Sequence, residues 1–167
     1  MEKTHPFWTF SLALYARAGV EPACLALQES GADVNLLLLC CWLGDTGRQL
    51  DSSALERLRQ AASPWQEEVL EPLRRARRAV KSGIAGMAPE WCAQLKHGIL
   101  AAELDAEYAE QRFLAAQAAP LATPARPQQA VADNLRCYLG LLAIDAAVDG
   151  NAQVLRSACA SGMAPPG

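Results

Sequence analysis

Apolar residues follow one another without a break along one short stretch of this chain. After Asn35, the run Leu36-Leu37-Leu38-Leu39-Cys40-Cys41-Trp42-Leu43-Gly44 holds no strongly polar side chain until Asp45. A helix that is apolar on every side is stable only when other elements enclose it. The pattern therefore predicts a buried central helix over about residues 33–44. Asp33 suits its N-cap, because a short carboxylate accepts from free first-turn N–H groups and favours the positive end of the helix dipole. Gly44-Asp45-Thr46-Gly47 predicts a tight turn that closes it.

The rest of the chain shows helical rather than alternating spacing. Thr4-His5-Pro6 predicts a helix start, with Phe7, Phe10, Leu14 and Trp8, Leu12, Tyr15 making a wide apolar face before Gly19. Pro22 predicts a short second helix, ended by Gly31. Asp51 predicts a fourth, with Leu50 and Leu55 as a hydrophobic staple and Leu55, Leu58 and Ala62 inward. Ser63-Pro64-Trp65-Gln66 has the form of another start. The helix it opens runs to Ser82-Gly83, carries the stripe Trp65, Val69, Leu73, Ala76 and Val80, and is kinked by Pro72.

Pro89 predicts a long helix with Trp91, Leu95, Ile99, Ala102, Ala106, Ala109 and Phe113 towards the core, and Leu100, Leu104 and Tyr108 on a second edge. Residues 119–128, with Pro120, Pro124 and Pro127, are expected to form an extended, exposed linker. A last long helix is expected over about residues 129–148, then a short one over 151–160 and a disordered tail over 161–167. No stretch alternates β-branched residues between turn signals, so no sheet is expected. The predicted fold is all-α: a single-domain bundle (residues 1–160) of roughly six to eight helices around the 33–44 helix.

Composition adds less. At 51% hydrophobic and 20% charged, much of the chain must lie inside a core or a partner. The net charge of −3 argues against non-specific nucleic-acid binding and leaves RNA a weak candidate. Six scattered cysteines without a Cys-x-x-Cys pair read as reduced, buried thiols, which favours the cytoplasm. The apolar run is far shorter than the roughly 20 residues a membrane span needs. Residues 7–18 imitate a signal peptide, but Glu2, Thr9, Ser11 and Tyr15 interrupt the required pattern, so no membrane partner is expected.

Taken together, Phe7-Trp8-x-Phe10-Ser11-Leu12 with Tyr15, Gly19-Val20, Cys24-Leu25-x-Leu27-Gln28, Gly31-x-Asp33-Val34-Asn35-Leu36-Leu37-Leu38 and Trp42-Leu43 resemble a proteobacterial family of about this length and unknown function. Trp65, Pro72-Leu73-Arg74 with Arg77 and Arg78, and Asn134-Leu135 with Tyr138-Leu139 extend the resemblance more loosely. It implies a helical bacterial protein and carries no catalytic residue.

Chemistry-bearing motifs are sparse. His5 and His97 are the only histidines and neither sits in a Glu-x-x-His or His-x-x-x-His pair, so no metal or other cofactor is expected. Cys40, Cys41 and Cys24 read as packed thiols, since adjacent helical residues point about 100° apart. Asp45-Thr46-Gly47 superficially resembles the aspartic-protease tripeptide but closes a helix. No P-loop, Gly-x-Ser-x-Gly or dinucleotide fingerprint occurs, and no catalytic residue is assigned.

The most pronounced surface feature is Arg74, Arg75, Arg77, Arg78 and Lys81, either a solvated helix face balanced by Glu71 or a site for an acidic or anionic partner, most simply another protein. Asp145, between Ile144 and Ala146, is expected to be buried and to pair with Arg136, Arg17 or Asn35. Two principal readings follow: a cytoplasmic interaction or regulatory protein using the Arg74–Lys81 face, or an enzyme or small-ligand binder with a pocket at Trp8, Tyr15, Asn35, Trp42 and Asp145. A third is a homo-oligomer packed through the alanine-rich helix.

Overall fold

The computed structural model describes residues 2–161, so the expected tail lies, beyond Ser161, outside the described residues. The architecture is all-α, as expected: α1 (Pro6–Tyr15), α2 (Val20–Glu29), α3 (Val34–Asp45), α4 (Ser52–Trp65), α5 (Glu71–Ser82), α6 (Pro89–Ala118), α7 (Pro127–Gly140) and α8 (Gly150–Ala160). Among the described residues, no single helix is long and apolar enough to cross a membrane. The chain divides into two compact units. The first holds residues up to 59 and from 111 on; the second is Gln60–Glu110, and the divisions fall inside α4 and α6.

In the first unit, α3 is the enclosed element. Leu36, Leu37, Leu39, Cys40 and Cys41 are wholly buried. Asp33 caps it as predicted, its Oδ1 accepting from the N–H groups of Asn35 (2.8 Å) and Leu36 (3.4 Å). Helices α1, α2, α7 and α8 pack around it, α7 most extensively. The face of α7 that meets α3 carries Val131, Asn134, Leu135 and Tyr138, all buried and at helical spacing. The Tyr138 hydroxyl accepts from the Asp33 N–H at 2.7 Å. Asn134 is fully enclosed and satisfied: its Oδ1 accepts from Leu50 N–H (2.8 Å), and its Nδ2 donates to the carbonyls of Cys40 (3.2 Å) and Arg48 (3.0 Å).

Gly44 lets the two helices meet. A Cβ there would lie 2.5 Å from the Cα and backbone N of Val131. Its neighbour is backbone, so nothing can swing aside. Leu50, Leu55, Leu58 and Ala62 are buried as the staple and stripe predicted.

Four expectations are corrected. First, the 63–66 signature does not start a new helix: α4 runs through Pro64 and continues into a π-helical turn, Gln66–Leu70, before α5. The wider turn absorbs the missing N–H and ring of Pro72, where a regular ladder would clash. Second, the chain is not wholly without strand. Arg48–Gln49 (β1) pairs antiparallel with Thr123–Pro124 (β2). Arg48 also donates to the Ala119 and Ala122 carbonyls, both at 2.9 Å, so the proline-rich stretch is extended but tied down.

Third, α7 ends at Gly140 instead of near 148. Ala143 takes a left-handed φ of 58°, with Ile144 N–H bonded to Leu139 C=O and Ala143 N–H to Gly140 C=O, a Schellman-type end built on alanine. Asp145 therefore falls outside the helix and is exposed, accepting from Ala147 N–H at 2.9 Å. Fourth, Trp91, Leu95, Leu100, Leu104 and Phe113 of α6 are exposed rather than inward.

Two predictions follow from these contacts. Gly44→Ala gains about 1 kcal/mol of helix propensity but meets Val131 backbone, so unfolding in urea should show a net loss of about 1–3 kcal/mol. At the N-cap of α1, His5 Nδ1 accepts from Phe7 N–H (3.3 Å), and burial, with the Arg112 guanidinium, holds the ring below its ordinary 6.5. An imidazolium donates from both nitrogens and cannot accept that bond. Stability from this cap is thus complete above the unfolded value of 6.5 and is lost as pH falls below it. Unfolding free energies from urea titrations at about pH 7.5 and pH 5.5 should differ by up to about 1 kcal/mol, and His5→Asn, a cap that does not titrate, should remove that part of the difference.

Candidate functional site

The five basic residues singled out in the sequence do not act as one surface. They lie in the second unit, where α5 and α6 form an antiparallel hairpin whose facing sides are polar. Arg74 is 8% exposed. It reaches Glu107 at 3.1 Å, Glu103 at 3.7 Å and Gln66 Oε1 at 3.2 Å. Arg77 meets Glu103 with both nitrogens, at 2.5 and 3.1 Å, and that hydrogen bond holds its guanidinium still more firmly protonated. Gln66 Nε2 donates to both oxygens of Glu110 at 2.9 Å.

The expectation that Leu73 and Ala76 face inward while the arginines stand free is corrected. Leu70 and Val80 are buried at the two ends of the inward face, and Gln66, Arg74 and Arg77 share it with them. Trp65 is partly exposed and donates its indole N–H to the Ala106 carbonyl at 3.1 Å. Only Arg75, Arg78 and Lys81 of the five are exposed, with Arg78 paired to Glu71.

The acidic half of this network was missed in the sequence. A signal existed: Glu103, Glu107 and Glu110 recur at helical spacing opposite Arg74 and Arg77. Apolar periodicity along α6 masked it.

The proposed pocket residues are packed rather than open. Trp8 is buried with the Lys3 ammonium 5.1 Å over its ring. Trp42 stacks on Phe7 at 5.0 Å and meets His5 edge-on at 6.1 Å. Asn35 Oδ1 accepts from Gln111 Nε2 (2.9 Å), whose Oε1 accepts from Ser11 (3.1 Å), a buried relay with its hydrogen bonds made. Tyr15 is half-buried, and Asp145, exposed in the turn after α7, does not join a buried site. An open depression of about 540 Å³ lies elsewhere, lined by Arg17, Ala18, Gly150, Gln153, Val154 and Ser157.

Cys24, Cys40 and Cys41 are poor nucleophiles. Burial pushes the Cys24 thiol up to about 12 and Cys40 higher, while a hydrogen bond with Cys159 and burial raise Cys41. Among the described residues, no three His, Cys, Asp or Glu side chains are grouped to hold a metal ion.

The ionic interior of the hairpin is testable. Glu103→Gln leaves Arg74 and Arg77 under-neutralised and should destabilise the protein by about 3–5 kcal/mol. The triple replacement Arg74→Met, Arg77→Met, Glu103→Leu should recover most of that loss in urea unfolding, since well-packed apolar groups substitute for buried pairs at little cost.

Residues 6–114, well over half of the chain, match the family described as Protein of unknown function (DUF2390). No curated protein and no solved structure matches the chain. The match takes in α1 to α5 and most of α6, including the capped central helix and the whole Arg–Glu hairpin. The chain belongs to this family.

Proposed function

We propose that the protein works by binding an acidic or anionic partner through the outer face of its second unit, as a helical interaction or regulatory protein of the bacterial cytoplasm. The observation that carries this reading is the division of the basic cluster. Arg74 and Arg77 are neutralised inside the hairpin, whereas Arg75, Arg78 and Lys81 stand on its outside. Exposed cations on a helix that is already held by an internal network can engage a partner without unfolding anything. Proteobacterial origin and the Phe7-Trp8-x-Phe10-Ser11-Leu12 signature belong to the same proposal.

The alternative, a small-ligand or catalytic pocket beside α3, has less support, because Trp8 and Asn35 are buried, Trp42 is stacked on Phe7 and Asn35 is bonded to Gln111. Affinity capture from the native cell with mass spectrometry tests the main reading. Arg75→Glu, Arg78→Glu and Lys81→Glu combined should deplete the specific partners at least about tenfold, as several surface charges reverse at once. An unchanged partner set would overturn it.

A further inference from the structure

The closed end of the α5–α6 hairpin carries a second surface. Gln66 meets Glu110, Arg74 meets Glu107, and Arg77 meets Glu103, so the antiparallel pairing leads towards the 83–88 turn. Val80 and Cys92 are buried beneath this end. Above them, four large apolar side chains point outward within a dozen residues: Ile84 at 47% exposed, Met87 at 53%, Trp91 at 61% and Leu95 at 55%. Trp91 and Leu95 are one helical turn apart and share a face of α6. Several large apolar groups left exposed within one short segment mark contact with something outside the protein.

Charge narrows the occupant. Residues 78–100 contain Arg78, Lys81 and Lys96 against Glu90 alone, so the tip is positive although the whole chain is −3. Lys81 and Lys96 are exposed and flank the four apolar residues in the sequence. A second copy of the chain would bring the same positive charges together, which opposes tip-to-tip association. The apolar residues are borne on the closed end of a hairpin and are exposed there. An exposed set of Trp, Met, Ile and Leu accompanied by exposed lysines has the chemistry of a shallow insertion into a lipid interface bearing negative headgroups.

We propose that the hairpin tip docks on an anionic lipid surface, inserting Ile84, Met87 and Trp91 while Lys81 and Lys96 meet the headgroups. The proposal rests on the second unit being a binding surface and names the anionic partner of its tip. It needs no membrane-spanning helix.

The test is co-sedimentation of the purified full-length protein with vesicles of phosphatidylcholine alone and of phosphatidylcholine mixed with phosphatidylglycerol. Sedimentation should require phosphatidylglycerol, weaken with salt, and fall about fivefold for each of Lys81→Gln and Lys96→Gln. Met87→Ser with Trp91→Ser should abolish it while leaving the circular dichroism and the unfolding midpoint unchanged, since both side chains are exposed.

The proposal is overturned by absence of sedimentation with either vesicle, by equal sedimentation with both, or by binding that the Met87 and Trp91 variants leave intact. A concentration-dependent dimer in light scattering that the Trp91 variant disrupts would also overturn it, by assigning the tip to a second copy. The outcomes separate this proposal from the broader reading. No vesicle binding together with partners lost on reversal of Arg75, Arg78 and Lys81 removes the lipid and keeps the interaction protein. Vesicle binding with an unchanged captured set does the reverse.

Discussion

The fold of the first unit depends on covering an apolar helix completely, and the contact that closes the cover is backbone against backbone. At Gly44, α3 and α7 approach so closely that a single methyl group has no room. One turn along α7, Asn134 uses its carboxamide to satisfy three backbone groups: a carbonyl in α3 and two groups in the segment that leaves it. Neither element works alone. The glycine permits the approach, and the asparagine removes the penalty that buried backbone polar groups would otherwise carry. Tyr138 extends the same seam to the N-terminal cap, so α7 holds the central helix near both ends.

The second unit solves its packing differently. Its helices face each other through arginine, glutamine and glutamate, with apolar groups towards the margins. Such an interface contributes less net stability than an apolar one but tolerates few alternative alignments, because a shift by one turn separates every pair. Arg74 and Arg77, which appeared available in the sequence, are consumed by this alignment, while side chains that appeared destined for a core are left outside. The apparent oddity of each is the same fact seen from two sides of α6.

Some of this was legible in the amino-acid sequence. The leucine run admitted one environment only, and Asp33, Leu50 and Leu55 are local signals whose meaning does not depend on distant residues. The orientation of α6 was not legible, since apolar spacing alone assigns Trp91 and Leu95 inward. Choosing the acidic face instead requires knowing that Arg74 and Arg77 lie opposite it. The early end of α7 was hidden because alanine at position 143 adopts a conformation usually reserved for glycine. Asp145 consequently changed from a buried candidate to an exposed turn residue. Pro64 resembled a helix start because proline suits a first turn, yet it lies inside α4, which runs on into the π-helical turn at Gln66–Leu70.

The pairing of β1 with β2 and the seam along α7 also bear on what counts as one piece of this protein. The family match covers residues 6–114. The surface that presses on Gly44, the carboxamide that answers Cys40, Arg48 and Leu50, and the strand that holds Arg48–Gln49 all come from residues after that point. A polypeptide trimmed to the region of resemblance would keep the leucine-rich helix and lose the wall against which it rests. The border of shared sequence and the border of mechanical self-sufficiency are thus different lines, drawn in different places along the same chain.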